Sequence, residues 1–177
     1  LNVEILTIEN RNDFENKISK QVEIKCINKN RIISAVLPVF NYLKNSDSNF
    51  FATNIWPLTL ISSILSIFFK KKKFIAIEHC DIFTEFKYKG IFFVSFQKLS
   101  VFLCYWLNHQ IITVSEGVKD SLIRCNPFLK NKIKVIYNPT RADVIKNVHI
   151  SDQEYKEFSD FNHHRIISVG SLNQQKN

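Results

Sequence analysis

The sequence predicts an α/β protein built on a parallel sheet with helices on both faces. Short apolar runs, typical of buried strands, alternate with longer stretches of helical periodicity. Such alternation favours a parallel sheet, because each crossover between parallel strands is usually a helix packed on the sheet. A length of 177 residues with 45% hydrophobic residues suffices for one Rossmann-like domain and part of another.

The predicted strands are short, and one of them has a clear period of two. Val22, Ile24 and Cys26 alternate there with Glu23 and Lys25. In chain order, the predicted strands span residues 3–8, 22–26, 50–53, 74–78, 110–115, 133–137 and 165–169.

Two predicted helices follow from apolar positions three or four residues apart. The first contains Ile32, Ile33, Val36, Phe40 and Leu43. Pro38 lies inside it, and a proline at such a position can kink a helix. The second contains Val118, Leu122 and Ile123, with Ser115 as its N-cap and Glu116 in its first turn.

Residues 50–69 carry no charge and are followed by lysines at 70–73, which makes them a candidate membrane span. Several polar residues and a proline favour a strand followed by a buried helix instead: Thr53, Asn54, Pro57, Thr59, Ser62, Ser63 and Ser66. Pro57 lies where the strand gives way to the helix, and proline is favoured in a first helical turn. The lysine run is then a solvated helix end or a contact with anionic lipid.

The chain is predicted to divide into a first domain at 1–139, a linker or crossing helix at 140–164, and the start of a second domain at 165–177. Because Leu1 already lies inside an apolar run and the chain stops after a strand and a polar loop, we expect truncation at both ends. No internal repeat is visible.

The formal charge of +8 suits an anionic membrane surface or a phosphorylated ligand, and the alternative is a set of solvated lysines without a partner. Nucleic-acid binding is not favoured, because the basic residues are scattered and no recognition motif is present. The 4 cysteines lack a CxxC pair, which indicates a reduced, cytoplasmic compartment rather than disulfides or zinc.

Ligands of open α/β sheets bind beyond the carboxyl ends of the strands, and polar residues follow the predicted strand at 74–78. Glu78, His79 and Asp81 lie there. His79 is the candidate catalytic residue, because imidazole can donate to a sugar hydroxyl or a phosphate near neutral pH. The alternative is a structural histidine that caps the strand end.

Two further strand ends carry polar groups. Ser115 and Glu116 open a helix whose N-terminus would attract an anion, although Ser115 is also explained as a plain cap. Gly170, Ser171 and Lys176 follow the last predicted strand, where glycine permits close approach of the backbone and lysine supplies a charge for phosphate. Neither a Walker motif nor a GxGxxG fingerprint is present.

Taken in order, these segments resemble the family 4 glycosyltransferases of the GT-B fold. Residues 111–119 (IITVSEGVK) are similar to the family's "iitvSegvk" segment, and residues 133–139 (IKVIYNP) to its "ikviyNp" strand. Residues 166–177 resemble its "ii.vGrL..qKn" start of the second domain, and Glu78-His79 its "EH" pair. Residues 1–73 fit the family only in pattern.

The resemblance implies the N-terminal, acceptor-side half of a GT-B enzyme, followed by the start of a donor-binding domain. It implies sugar transfer with retention from a nucleotide-sugar to a glycan or lipid-linked glycan acceptor, without a cofactor or a required metal. His79 would face the reacting sugar, Glu78, Asp81, Ser115 and Glu116 would bind the acceptor, and Gly170, Ser171 and Lys176 the donor phosphates. Ser171 departs from the arginine that is common in the family, which removes a bidentate phosphate donor.

The resemblance further implies a cytoplasmic protein at the inner face of the cell membrane, involved in polysaccharide or lipopolysaccharide synthesis. The 177 residues are expected to be inactive alone, because most of the donor site would lie elsewhere. The alternatives are a non-catalytic remnant or anion- or membrane-binding module, and an integral membrane protein anchored by residues 50–69.

Overall fold

A computed structural model describes residues 2–9, 18–84 and 90–139. The chain divides into two compact units, Leu1–Ile136 and Tyr137–Asn177. The described secondary structure belongs to the first unit. The linker predicted at 140–164 and the strand predicted at 165–169 lie outside the described residues, so the domain division stays a prediction.

The described strands and helices alternate from β2 onward, as the apolar pattern predicts. The strands are β1 (Glu4–Thr7), β2 (Glu23–Cys26), β3 (Phe50–Asn54), β4 (Lys73–Glu78), β5 (Gln110–Thr113) and β6 (Ile133–Val135). The helices are α1 (Ile32–Asn45), α2 (Leu58–Leu65), α3 (Ile91–Cys104) and α4 (Glu116–Cys125), with 3₁₀ turns at Tyr105–Leu107 and Pro127–Lys132. Each strand predicted before residue 140 is found within two residues of its expected bounds.

Every described strand pairing is parallel, which confirms the α/β, Rossmann-like fold class. β1 pairs with β2, and a separate sheet has the order β3-β4-β5-β6. Neighbouring strands of the larger sheet follow one another in the chain, and each crossover contains a helix. α2 connects β3 to β4, α3 connects β4 to β5, and α4 connects β5 to β6. The carboxyl ends of β3, β4, β5 and β6 therefore meet at one edge.

One face of the larger sheet is buried in its two central strands, β4 and β5, whereas β3 and β6 contain no fully buried residue. Phe74, Ala76 and Glu78 of β4 are buried, whereas Ile75 and Ile77 on the opposite face are only half-buried. Two clusters cover the buried face. The first is centred on Trp56, Ala76, Val101, Tyr105, Ile111 and Leu122, and the second on Val39, Leu43, Leu65 and Phe74.

α2 confirms the strand-plus-helix prediction for residues 50–69. Its polar side chains are satisfied by neighbouring elements, because Ser62 Oγ lies 2.7 Å from Thr53 Oγ1 and Ser63 Oγ accepts from Asn108 Nδ2 at 2.6 Å. Buried polar groups need such partners, and α2 obtains them from the protein. Within residues 2–9, 18–84 and 90–139, no helix combines the length and the apolar character that a membrane crossing requires.

α1 contains Pro38, as predicted, and its end is held by the lysine run. Lys72 Nζ donates to the carbonyl oxygens of Ser46 and Ser48 at 2.6 and 2.8 Å. A cation at a helix C-terminus is favourable because it complements the helix dipole. This part of the lysine run therefore has a structural role inside the domain.

The small sheet is tied to α1 through Glu4. The Tyr42 hydroxyl of α1 donates to the Glu4 carboxylate, and Lys25 Nζ of β2 lies 3.3 Å from Glu4 Oε1. The Tyr42 hydrogen bond is the main cause that holds the pKa of Glu4 below its ordinary value, and Lys25 adds to it. Burial raises the pKa of Tyr42 itself.

Candidate functional site

The candidate site lies at the carboxyl edge of the larger sheet, within the first unit. Parallel register places Asn54, the last residue of β3, beside Ile77, and Glu78, the last residue of β4, beside Thr113 of β5. Side chains alternate along a strand. Asn54 and the residue after Glu78 are therefore on one face of the sheet, and Glu78 and Thr113 on the other.

His79 forms an exposed pair with Asn54. His79 Nε2 lies 3.4 Å from Asn54 Oδ1, and both residues are exposed. When Nε2 carries the proton it donates to Asn54, and Nδ1 is then free to accept from a ligand. Sequence reasoning named His79 but not Asn54, although a polar residue at the end of a predicted strand was a usable signal.

Glu78 points into the core. Its side chain is 1% exposed, and its carboxylate accepts a hydrogen bond from the Tyr105 hydroxyl. The same hydroxyl lies 2.5 Å from Thr59 Oγ1. Direct contact between Glu78 and an acceptor would need a different side-chain position, so its predicted acceptor role stays a prediction. The Tyr105 hydroxyl of the 3₁₀ turn therefore contacts both Glu78 of β4 and Thr59 of α2.

Asp81 anchors the loop that follows His79. Its Oδ1 accepts from the backbone N–H of Phe83 at 2.7 Å, and its Oδ2 lies 3.7 Å from Arg124 Nη2 of α4. The Phe83 ring also lies near two cations, with Lys98 Nζ at 4.3 Å and Arg124 Cζ at 4.8 Å from its centroid. These contacts fix the start of the loop against α3 and α4.

Ser115 is the N-cap of α4, as predicted. Its Oγ accepts from the Val118 backbone N–H at 3.3 Å. Glu116 is exposed and lies 2.8 Å from Lys119 Nζ, one turn along the helix. Both side chains are therefore engaged in ordinary helix-start interactions, and their predicted acceptor roles stay predictions.

The predicted donor-phosphate residues Gly170, Ser171 and Lys176 lie outside the described residues. The described candidate site comprises the residues at the carboxyl ends of β3, β4 and β5.

Two cysteines at the ends of α3 and α4 are shielded rather than activated. Burial raises the pKa of the Cys104 thiol. Burial also raises the pKa of the Cys125 thiol, and the nearby charge of Lys98 lowers that pKa by a smaller amount. A raised pKa disfavours the thiolate that a nucleophile requires. Residues 2–9, 18–84 and 90–139 contain no cluster of His, Cys, Asp and Glu suited to a metal ion.

Ile55 connects Asn54 to α2 in a strained conformation. Its φ is 65°, in the left-handed region that β-branched residues avoid. Its N–H donates to the Ile77 carbonyl at 3.2 Å, and its own carbonyl accepts from Leu58 at 3.0 Å. These bonds hold the turn in place directly beside the His79–Asn54 pair.

We expect Ile55→Gly to raise the free energy of unfolding by about 1 kcal/mol, because relief of the strained φ outweighs the added chain entropy of glycine. Urea unfolding measures the change. Leu37→Gly is the control, since Leu37 is exposed in the interior of α1, where glycine should cost about 1 kcal/mol. Equal destabilisation by both substitutions would contradict strain at Ile55.

Comparison with known proteins supports the fold alone. No protein-family model matches the chain, and no curated protein matches it significantly. The chain is similar to the crystal structure of Anabaena Alr3699/HepE in complex with UDP, with a TM-score of 0.54 and 12% sequence identity. The match covers 89% of this chain and 49% of that chain, so the chain spans about half the length of the solved structure.

Proposed function

We propose that these residues form the acceptor-side half of a retaining glycosyltransferase of family 4. In this proposal, a sugar moves from a nucleotide-sugar to a glycan or lipid-linked glycan, in polysaccharide or lipopolysaccharide synthesis. The reaction takes place in the cytoplasm at the inner face of the membrane. The acceptor binds at the carboxyl edge of the sheet, where ligands of open α/β sheets bind.

The observation that carries the proposal is that His79 lies at the same sheet edge as the ends of the other family-like segments. The family-like segments around Glu78-His79, residues 111–119 and residues 133–139 occupy three adjacent strands and the turns after them. Their carboxyl ends meet at one edge, as a shared ligand site requires. The fold similarity to a protein crystallised with UDP supports a nucleotide-linked donor.

His79 is proposed to contact the reacting sugar. Asn54 orients the imidazole, so that one ring nitrogen stays available to a sugar hydroxyl. Gly170, Ser171 and Lys176 are proposed to approach the donor diphosphate, where Lys176 would stabilise the charge that develops on the leaving group. Serine at 171 in place of arginine is proposed to weaken donor binding.

The test uses the product of the complete open reading frame that contains these residues. It is expected to transfer label from a UDP- or GDP-sugar to a membrane extract, with the anomeric configuration retained. The 177 residues alone are expected to transfer none, because they span only 49% of the matched structure's length. A folded complete product without transfer from any common nucleotide-sugar would contradict the proposal.

A further inference from the structure

α3 carries apolar side chains on its buried side and also on its exposed side. On the buried side, Val101 belongs to the core cluster. Gln97 and Ser100 are buried, and Ser100 Oγ accepts a hydrogen bond from Trp56 Nε1 at 3.0 Å. Large apolar side chains face outward as well. A helix at the surface of a domain normally carries charged and polar residues on its outer side. Packing in the domain core therefore does not account for the apolar side chains on the exposed side of α3.

The exposed apolar residues form one stripe, which we call the α3 stripe. Their spacing of three or four residues places them along one side of α3 and its 3₁₀ extension: Phe92, Phe96, Leu99, Leu103 and Trp106. Phe92 is 90% exposed and Trp106 is 55% exposed. Phe128, which is 84% exposed, continues the apolar surface across a groove of about 370 Å³ that Phe102, Leu103 and Trp106 also line.

Within the described part of the chain, lysines lie beside the α3 stripe. Neither α3 nor the turn at Pro127–Lys132 contains an aspartate or a glutamate. Lys130 is exposed beside Phe128, and Lys132 Nζ lies 6.0 Å from the centroid of the Trp106 ring while donating to the Asn108 carbonyl. An apolar stripe flanked by lysines is the pattern of a helix that lies in the surface of an anionic membrane.

We propose that the α3 stripe docks the protein on an anionic lipid surface, with Phe92, Leu99 and Trp106 among the acyl chains and Lys130 at the headgroups. A second copy of the chain is a poorer fit. A two-fold contact would bring the same surface of both copies together, and their lysines would meet without acidic partners. Lipid phosphates supply the complementary charge that a second copy lacks.

The biological role of this surface rests on the proposed function, since a lipid-linked acceptor lies at a membrane. Binding itself needs neither donor nor acceptor, so a failed vesicle test and a failed transfer test are distinguishable. The α3 stripe also differs from the lysine run at 70–73, which is the membrane contact that the sequence suggested.

The 177-residue chain is expected to co-float with phosphatidylcholine vesicles that contain phosphatidylglycerol, and more weakly with pure phosphatidylcholine. Salt should weaken the binding. Trp106 provides a second readout, because the other tryptophan, Trp56, is buried. On binding, the emission of Trp106 should shift to shorter wavelength as the indole leaves water.

The double variant Phe92→Ser/Leu99→Ser is expected to reduce vesicle partitioning roughly tenfold or more, because two exposed apolar anchors are lost. The control is Ile33→Ser/Leu37→Ser, which removes two comparably exposed apolar residues from α1 and should leave partitioning unchanged. Unchanged thermal unfolding establishes that each variant is folded.

Three results would overturn the proposal. The first is no binding, or equal binding to both kinds of vesicle. The second is binding that survives Phe92→Ser/Leu99→Ser but is lost in Lys70→Gln/Lys71→Gln. The third is a dimer by light scattering that Phe92→Ser/Leu99→Ser dissociates, which would assign the α3 stripe to a second copy of the chain.

Discussion

Tyr105→Phe is expected to lower the free energy of unfolding by about 2 kcal/mol, because it removes a hydroxyl that donates to a buried carboxylate. The ring stays, so little packing is lost. Tyr105 is fully buried, and its hydroxyl also lies 2.5 Å from Thr59 Oγ1. Urea unfolding monitored by circular dichroism measures the difference.

Tyr137→Phe is the matched control for this prediction. Tyr137 is 66% exposed, so loss of its hydroxyl should change stability by less than about 0.5 kcal/mol. A double-mutant cycle with Glu78→Gln identifies the partner, because Tyr105→Phe should cost less once the carboxylate is gone. Additive effects of the two substitutions would contradict a stabilising Tyr105–Glu78 hydrogen bond.

Local sequence pattern predicted most of the described elements, but not how they assemble. Alternation in β2, helical spacing in α1 and the Ser115 cap are local signals, and each element is found where it was expected. α3 was not singled out, because apolar residues occur on all its sides and leave little periodicity. The division into two sheets depends on pairing between distant segments, which local pattern does not contain.

The candidate site could be predicted only in outline. The polar residues after β4 were visible, but the apolar residues on both sides of that strand did not reveal which side is buried. The sequence therefore did not predict that the Glu78 side chain is buried and accepts a hydrogen bond from Tyr105, and its acceptor role stays a prediction. The contribution of Asn54 depended on the pairing of β3 with β4, since 25 residues separate Asn54 from His79.

His79→Ala is expected to reduce the transfer rate of the complete product about 10²- to 10⁴-fold, the usual contribution of a positioned acid–base group. Its imidazole is exposed, so the substitution should leave the stability of the domain nearly unchanged. Asn54→Ala should give a smaller loss, because it removes the group that orients the ring rather than the ring itself.

His109 provides the matched control for His79. It is also exposed, but it directly precedes β5 and so lies at the amino edge of the same sheet. The decisive measurement is the initial rate of sugar transfer by the complete product with His79→Ala and with His109→Ala. A large loss for His79→Ala alone is the predicted result, and equal rates for both variants would contradict a sugar site at the carboxyl edge.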